Sequence, residues 1–421
     1  MTDTPRRDFR ATYLIETPLA LDQAAEVLAG EQSSGTFVRV AGETDDLRRR
    51  ARAVVQSIRQ TGVADTPSLP NAFLERRGIQ GPYKQALITV SFPVDNVGPN
   101  LPTLAATVGG NIYDLGEMTG VKLLSLDLPP EYVRLFDAPR HGVRGTRALT
   151  GRPAGPILGT IIKPNVGMSP EQTAQTVAGL CEAGVDFIKD DEVMANPPHS
   201  PLAKRVEAVM RVINNHAERT GRKVMYAFNI SDDLDAMRAH AARVEAAGGT
   251  CVMASLNWCG FSAIQALRRS TPLALHGHRN GMAMMSRHPA LGIAFPAYQA
   301  LWRLAGVDQL HVNGLAGKFY ESDDSVIESA RACLAAMAGD DAVMPVFSSG
   351  QWAGTVPPTF AGLGSDDLIF LSGGGILGHP DGAAAGVQSI RDAWDAATAG
   401  VPLSEFARAR PALAQALAFY G

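Results

Sequence analysis

At 421 residues the chain is too long for one ordinary domain and long enough to bury a large core. Its composition, 46% hydrophobic and 19% charged with a formal net charge of -4, is that of a soluble globule and excludes both a disordered chain and a basic nucleic-acid binder. Cys181, Cys251, Cys259 and Cys333 have neither CxxC nor zinc-type spacing, the N-terminus is polar, and no apolar run approaches the roughly 18 residues of a membrane span. These features exclude a disulfide framework and a structural zinc site and lead us to expect a cytoplasmic protein without membrane or nucleic-acid partners.

In chain order, strand-like runs at 10–15, 86–92 and 121–126 are separated by helical patterns near 20–29, 45–60 and 98–108, the mark of an α+β domain over about 1–135. Arg48, Arg49, Arg50 and Arg52 fall inside the second helical pattern, behind Asp45 and Asp46, and read as a solvated helix face. Segment 129–154, with Pro129, Pro130, Gly142, Gly145, Gly151 and Pro153, lacks periodicity and marks a boundary. Beyond it, apolar runs near 157–162, 185–189, 223–229, 250–254, 272–276, 308–312, 343–348 and 367–371 alternate with helical ones. Eight βα units predict a (β/α)8 TIM barrel over 145–421, so the fold class is α/β, preceded by an α+β, ferredoxin-like N-terminal domain. Its first helix is marked by Ser169 as N-cap, Pro170 in the first turn, Gln172 as capping-box partner and Gly184 beyond the end. An open doubly wound sheet is the alternative, but Lys163-Pro164-Asn165-Val166-Gly167 is no dinucleotide fingerprint.

In such a barrel, side chains at the C-terminal ends of the strands converge on one face. Lys189-Asp190-Asp191-Glu192 closes the second strand, and residues two apart on a strand share a face, so Lys189 and Asp191 point together with Glu192 at the mouth. The tetrapeptide alone is equally a charged strand end with an ordinary ion pair. A neutral lysine that takes up CO2 as a carbamate, however, becomes an anionic oxygen ligand suited to Mg2+. Around it the pattern gathers Lys163, held extended by Pro164 as an acid/base group, Asn229, His276, His278, Arg279, His311, Lys318 on a Gly-flanked lid, Ser349 and Gly373-Gly374-Gly375. A glycine triplet after the eighth strand suits phosphate and Arg279 a forked anion contact; a lone histidine is as readily structural.

These residues, in this order, resemble the ribulose-1,5-bisphosphate carboxylase large subunit superfamily from about residue 10 to beyond 390. Gly159-Thr160-Ile161-Ile162-Lys163-Pro164, Asp186 to Glu192, His276-Gly277-His278-Arg279, Gly317-Lys318, Met344 to Gly350 and Gly373 to Pro380 look like the family's motifs. The resemblance implies Mg2+ held by carbamylated Lys189, Asp191 and Glu192, catalytic roles for Lys163, His278 and Lys318, and substrate or phosphate contacts from Arg279, His311, Ser349, Gly350, Gly373 and Gly374. Glu31, Thr36 and Asn111 resemble segments that complete a neighbouring subunit's site, which implies a homodimer or an assembly of dimers.

Three departures matter. The family's Lys-Pro-Lys is Lys163-Pro164-Asn165, Gln351 stands where a phosphate-facing glycine is expected and would crowd or reshape that pocket, and Phe37 stands for a tryptophan. They resemble the non-carbon-fixing, RuBisCO-like branch (form IV type) rather than a carboxylase. The expected chemistry is Mg2+-dependent enolate formation on a phosphorylated sugar acid or ketose. Because an isomerase has no use for the lid lysine, decarboxylation of 3-oxo-isoapionate 4-phosphate, or a related transcarboxylation and hydrolysis, leads. A 5-methylthioribulose 1-phosphate isomerase, a 2,3-diketo-5-methylthiopentyl-1-phosphate enolase, a Schiff-base aldolase or a non-catalytic sugar-phosphate sensor are the alternatives.

Overall fold

A computed structural model describes residues 7–35 and 40–421. Their strands are, in order, β1 (Asp8–Thr17), β2 (Val54–Ala64), β3 (Tyr83–Pro93), β4 (Gly120–Asp127), β5 (Ile157–Ile161), β6 (Phe187–Lys189), β7 (Met225–Asn229), β8 (Cys251–Ser255), β9 (Ala274–His278), β10 (Leu291–Ile293), β11 (Gln309–Asn313), β12 (Met344–Phe347) and β13 (Ile369–Leu371). The chain forms two compact units. One holds the residues up to Phe136 with Gly281–Leu304 and Met337–Gly339; the other holds Asp137–Asn280, Ala305–Ala336 and Asp340–Gly421. The sequence reading placed everything from 145 onward in one domain, whereas 281–304 returns to the first unit because β10 pairs in parallel with β4. A three-residue strand has too little alternation to announce itself.

The first unit is a mixed sheet in the order β10-β4-β1-β3-β2. Phe9, Ala11, Tyr13 and Ile15 of β1 are wholly buried, the period of two expected of a central strand with one packed face. The pattern near 45–60 is only partly helical: the helix ends at Ala51 and 54–64 is a strand. That strand lies at the sheet edge, mostly exposed, so its side chains show none of the alternation a half-buried strand displays. The arginine run is engaged internally. Arg49 and Arg50 pair with Asp46, Arg48 with Glu43, and Arg52 with Glu26 and the Ser34 carbonyl.

In the second unit β11-β12-β13-β5-β6-β7-β8-β9 close into a parallel barrel, each strand falling within about three residues of its expected place. Ile157, Phe187, Met225, Cys251, Ala274, Met344 and Ile369 fill its interior and are fully buried. Gly159 makes closure possible, since a Cβ there would lie 2.7 Å from both Leu371 and the Phe187 carbonyl. Helix Pro170–Ala183 carries the expected capping box between Ser169 and Gln172 and ends on left-handed Gly184. Among the described residues no helix is long and apolar enough to cross a membrane.

Glu16 is the most heavily bonded carboxylate of the first sheet: Ser68 N–H and Thr119 Oγ1 donate to one oxygen at 2.6 and 2.8 Å, Ser68 Oγ and Gln85 Nε2 to the other at 2.7 and 2.9 Å. Burial alone would raise its pKa, but these donors outweigh burial and hold it below the ordinary 4.5. A depressed carboxyl pKa contributes stability that is complete above the unfolded value and disappears as the pH falls through the native one. Glu16→Ala should therefore cost about 2–4 kcal/mol near neutral pH. The Tm gap to wild type should narrow as the pH drops below 4.5; a gap constant from neutral to strongly acidic pH would contradict this account.

Candidate active site at the C-terminal end of the barrel

Strand alternation at the end of β6 sets the site. Asp190 turns away from the barrel interior, where Oδ1 accepts the Tyr226 hydroxyl at 2.6 Å and Oδ2 accepts Arg205 Nη2 at 3.2 Å and the Asn229 amide at 2.9 Å. Arg205 is completely buried and also donates to the carbonyls of Met194, Ala195 and Ser200, stitching down the loop that follows β6. Removing one partner of such a buried pair strands a charge at about 3–5 kcal/mol. Lys189 and Asp191 turn the other way, as the sequence predicts. Asn229 Nδ2 spans the carbonyls of Asp191 and Glu192, 3.1 Å from each, and so orients both acids.

Lys189 is 1% exposed, with Nζ 3.0 Å from the Asp190 carbonyl and 3.4 Å from Glu192 Oε2. Burial pushes its pKa below 10.5 against the pull of Glu192 and Asp191, which favours the neutral amine. Glu192, for which burial works in the opposite direction, is held below its ordinary value by Lys189. Lys163 Nζ donates to Asp191 Oδ2 at 2.9 Å and to Asn165 Oδ1 at 2.8 Å. The Lys163–Pro164 peptide is cis. His278 accepts the Asn280 amide on Nδ1, so the proton lies on Nε2, 3.4 Å from Glu192 Oε2. Burial first, and then Lys189, keep this imidazole neutral.

Between β9, β11 and β12 runs a hydrogen-bonded chain. Gln309 turns its amide nitrogen to Thr146 and its oxygen to His276 Nδ1 at 2.8 Å. His276 Nε2 must then accept from His311 Nε2 at 2.9 Å, and His311 Nδ1 accepts from Ser348 Oγ at 3.1 Å. Burial drives His276 down to about 3 and His311 well below 6.5, so both are neutral. Both nitrogens of His311, expected at the substrate, are therefore engaged within the protein. Ser348, which sequence reasoning passed over for Ser349, is the partner of His311; the Oγ atoms of Ser348 and Ser349 lie 3.5 Å apart. Arg279, expected to grip an anion, donates to Glu321 Oε2 at 2.5 Å. Glu321 also accepts from Asn313 and Ser325 and had no motif to reveal it.

Gln351, expected to crowd or reshape a phosphate pocket, is engaged with the loops around it. Its side chain is 1% exposed and runs beneath the neighbouring loop, Nε2 donating to the Leu315 carbonyl at 3.1 Å and Oε1 accepting from Thr355. Its own carbonyl accepts Ser372 Oγ at 2.6 Å. Gln351 thus ties together the loops bearing Lys318, Ser349 and Gly350, and Gly373 and Gly374. The contact is close: a Cβ on Gly314 would lie 2.2 Å from the Gln351 amide. Asn313, Ala316 and Ser349, the only non-glycine residues with positive φ among the described ones, lie at the end of β11 or in these loops, a concentration of backbone strain of the kind functional loops carry. Lys318 stands exposed at the tip, with Nζ 5.4 Å from the Phe319 ring centroid.

Among the described residues no three His, Cys, Asp or Glu side chains form a metal site by themselves. Asp191 and Glu192 supply two hard oxygen donors, with the Lys189 amine 3.4 Å from Glu192. Glu31 and Asn111 are exposed on the first unit, and Thr36 and Phe37 lie outside the described residues.

The ribulose bisphosphate carboxylase large chain catalytic-domain model matches residues 142–420 and the N-terminal-domain model residues 4–132. The crystal structure of a rubisco-like protein from Burkholderia fungorum superposes with a TM-score of 0.93 at 62% identity, covering 98% of this chain and 99% of that one. A 3-oxo-isoapionate-4-phosphate transcarboxylase/hydrolase from Xanthobacter autotrophicus is 49% identical over 97% of this chain and 98% of its own length. A 3-oxo-isoapionate-4-phosphate decarboxylase from Rhizobium rhizogenes is 42% identical over 97% of each.

The Gln351 tie predicts that Gln351→Ala costs about 1–2 kcal/mol and raises amide hydrogen exchange across 314–320 while leaving the β6 loop protected. Exchange that rises uniformly over the barrel would show instead that Gln351 serves only general packing.

Proposed function

Because the chain belongs to the ribulose bisphosphate carboxylase large-chain family, on its RuBisCO-like side, we propose that it cleaves the bond between the carboxyl group and C2 of a phosphorylated 3-oxo acid, decarboxylating 3-oxo-isoapionate 4-phosphate. The observation that carries this reading is the inward set Lys189, Asp191 and Glu192 beside Lys163, with the lid lysine kept and the family's second lysine replaced by Asn165. The names of the relatives at 49% and 42% identity support the substrate.

Asp191, Glu192 and Lys189 carrying CO2 as a carbamate would hold Mg2+, whose Lewis acidity favours an electron pair delocalised onto the 3-oxo oxygen. Burial prepares Lys189 by favouring the amine that adds CO2 with loss of a proton. In the reaction the C1–C2 bond breaks, CO2 leaves, and the electron pair passes toward the C3 oxygen until C2 is protonated. Lys163, fixed between Asp191 and Asn165, is the group placed to deliver that proton. A neutral acceptor at 165 orients Lys163 and removes a cation that would otherwise hold the departing carboxylate in place. Neutral His278 stands beside Glu192, Nε2 lying 3.4 Å from Oε2. Lys318 would cover the carboxyl group as its loop closes, while Ser349, Gly350, Gly373 and Gly374 would receive the phosphate. Arg279, held by Glu321, and His311, held by His276 and Ser348, would shape that pocket rather than reach across it. Glu31, Thr36 and Asn111 of a second copy would complete it in a homodimer.

The 49% identical relative favours a second reading, transfer of the carboxyl group followed by hydrolysis. Purified protein preincubated with bicarbonate and Mg2+ should consume 3-oxo-isoapionate 4-phosphate, and 13C NMR of a carboxyl-labelled substrate distinguishes released CO2 from a transferred carboxyl group. Lys189→Met should lower turnover by at least about a thousandfold, and chelator should abolish it reversibly. Activation by CO2 should increase as the pH rises through a Lys189 pKa below 10.5, since only the deprotonated amine reacts. No loss of the labelled carboxyl group, alongside turnover of 5-methylthioribulose 1-phosphate, would overturn the proposal in favour of the isomerase.

A further inference from the structure

The opposite end of the barrel carries a cluster that this chemistry does not use. Asp186 precedes β6, so it lies at the other end of that strand from Lys189. Its carboxylate is buried; Oδ2 accepts the Leu158 amide at 3.1 Å, and Oδ1 faces Arg152 Nε at 2.8 Å, Arg222 Nη2 at 3.1 Å and, at 3.7 Å, Arg391 Nη2, which donates to the Gly184 carbonyl at 2.7 Å. The three guanidinium groups arrive from separate places: the turn after helix Gly142–Thr150, the turn after helix Leu202–Thr220, and helix Gly382–Ala399. Guanidinium groups remain charged at every pH a protein tolerates, and each has five N–H donors. One carboxylate cannot neutralise three of them.

Two positive charges are left uncompensated, in a chain whose net charge is -4. They line an open cleft of about 750 Å³ together with Lys223, Thr150 and Gly151. Arg152 and Arg391 are each 27% exposed and Arg222 is 54% exposed, so donors not used on Asp186 remain within reach of solvent. Burial, together with repulsion from Arg152 and Arg222, holds Arg391 below its ordinary value despite Asp186. Arg152 and Arg222 already clamp Asp186, and Arg391 spends one N–H on the Gly184 carbonyl; the donors that remain converge as forked groups, which a tetrahedral oxyanion with several acceptor oxygens matches.

We propose that this cleft is a second anion site, separate from the barrel mouth, that takes a phosphate-class dianion, either inorganic phosphate or the phosphoryl group of a sugar phosphate. It does not depend on the reaction assigned above. Crystals of the full chain soaked in selenate should show anomalous density within hydrogen-bond reach of Arg152, Arg222 and Arg391. In solution at constant ionic strength, Arg222→Ala combined with Lys223→Ala should weaken phosphate binding at one site roughly tenfold or more, with turnover unchanged. Titrations with inorganic phosphate and with ribose 5-phosphate, run in parallel, identify which source binds more tightly. Selenate confined to the barrel mouth, or phosphate binding unaltered in the double variant, overturns the proposal; either result would show that the arginines only clamp Asp186. Selenate in the cleft of a protein that releases no CO2 would leave this site standing and sink the decarboxylase reading.

Discussion

The site rests on the buried contact between Asp190 and Arg205. Four consecutive polar residues at a strand end would ordinarily fray into solvent, because none of them favours a buried interior. Here Arg205 and Tyr226 take Asp190 on the outer side of β6, and the pleat then obliges Lys189 and Asp191 to face inward. Arg205 also fastens the carbonyls at 194, 195 and 200, so one side chain fixes both the direction of the strand end and the path of the loop. Lys189 could not be dehydrated without such a support, and dehydration is what moves its amine toward the neutral form.

A second level of organisation lies in the loops after β11, β12 and β13. Gln351 binds the first through its side chain and the third through its backbone, leaving the tip with Lys318 exposed above a fixed base. The histidine chain from Gln309 to Ser348 works in the same sense. It locks the tautomers of His276 and His311, so neutral imidazoles rather than cations stand behind the mouth. Positive charge on these loops then comes from Lys163, paired with Asp191, and from the exposed Lys318.

The two ends of the barrel are electrostatically distinct. At the mouth, acids and lysines nearly balance around Lys189; at the other end, one buried acid gathers three arginines. Strand β6 connects them, with Asp186 before it and Lys189 at its close. Only Phe187 and Ile188 thus separate the two charge arrangements.

The sequence by itself determined the eight strand positions, the capped first helix, and the common facing of Lys189 and Asp191, because these follow from local periodicity and from side chains only two residues apart. It also carried the family motifs, and with them the class of chemistry. Only the tertiary structure decided that 54–64 is an edge strand, that β10 crosses to the first sheet, that Arg279 answers to Glu321, that Ser348 rather than Ser349 meets His311, and that Gln351 ties the neighbouring loops together. Each of these depends on a partner contributed by another element, and the number of residues between partners carries no information about the direction in which a side chain turns once the barrel has closed.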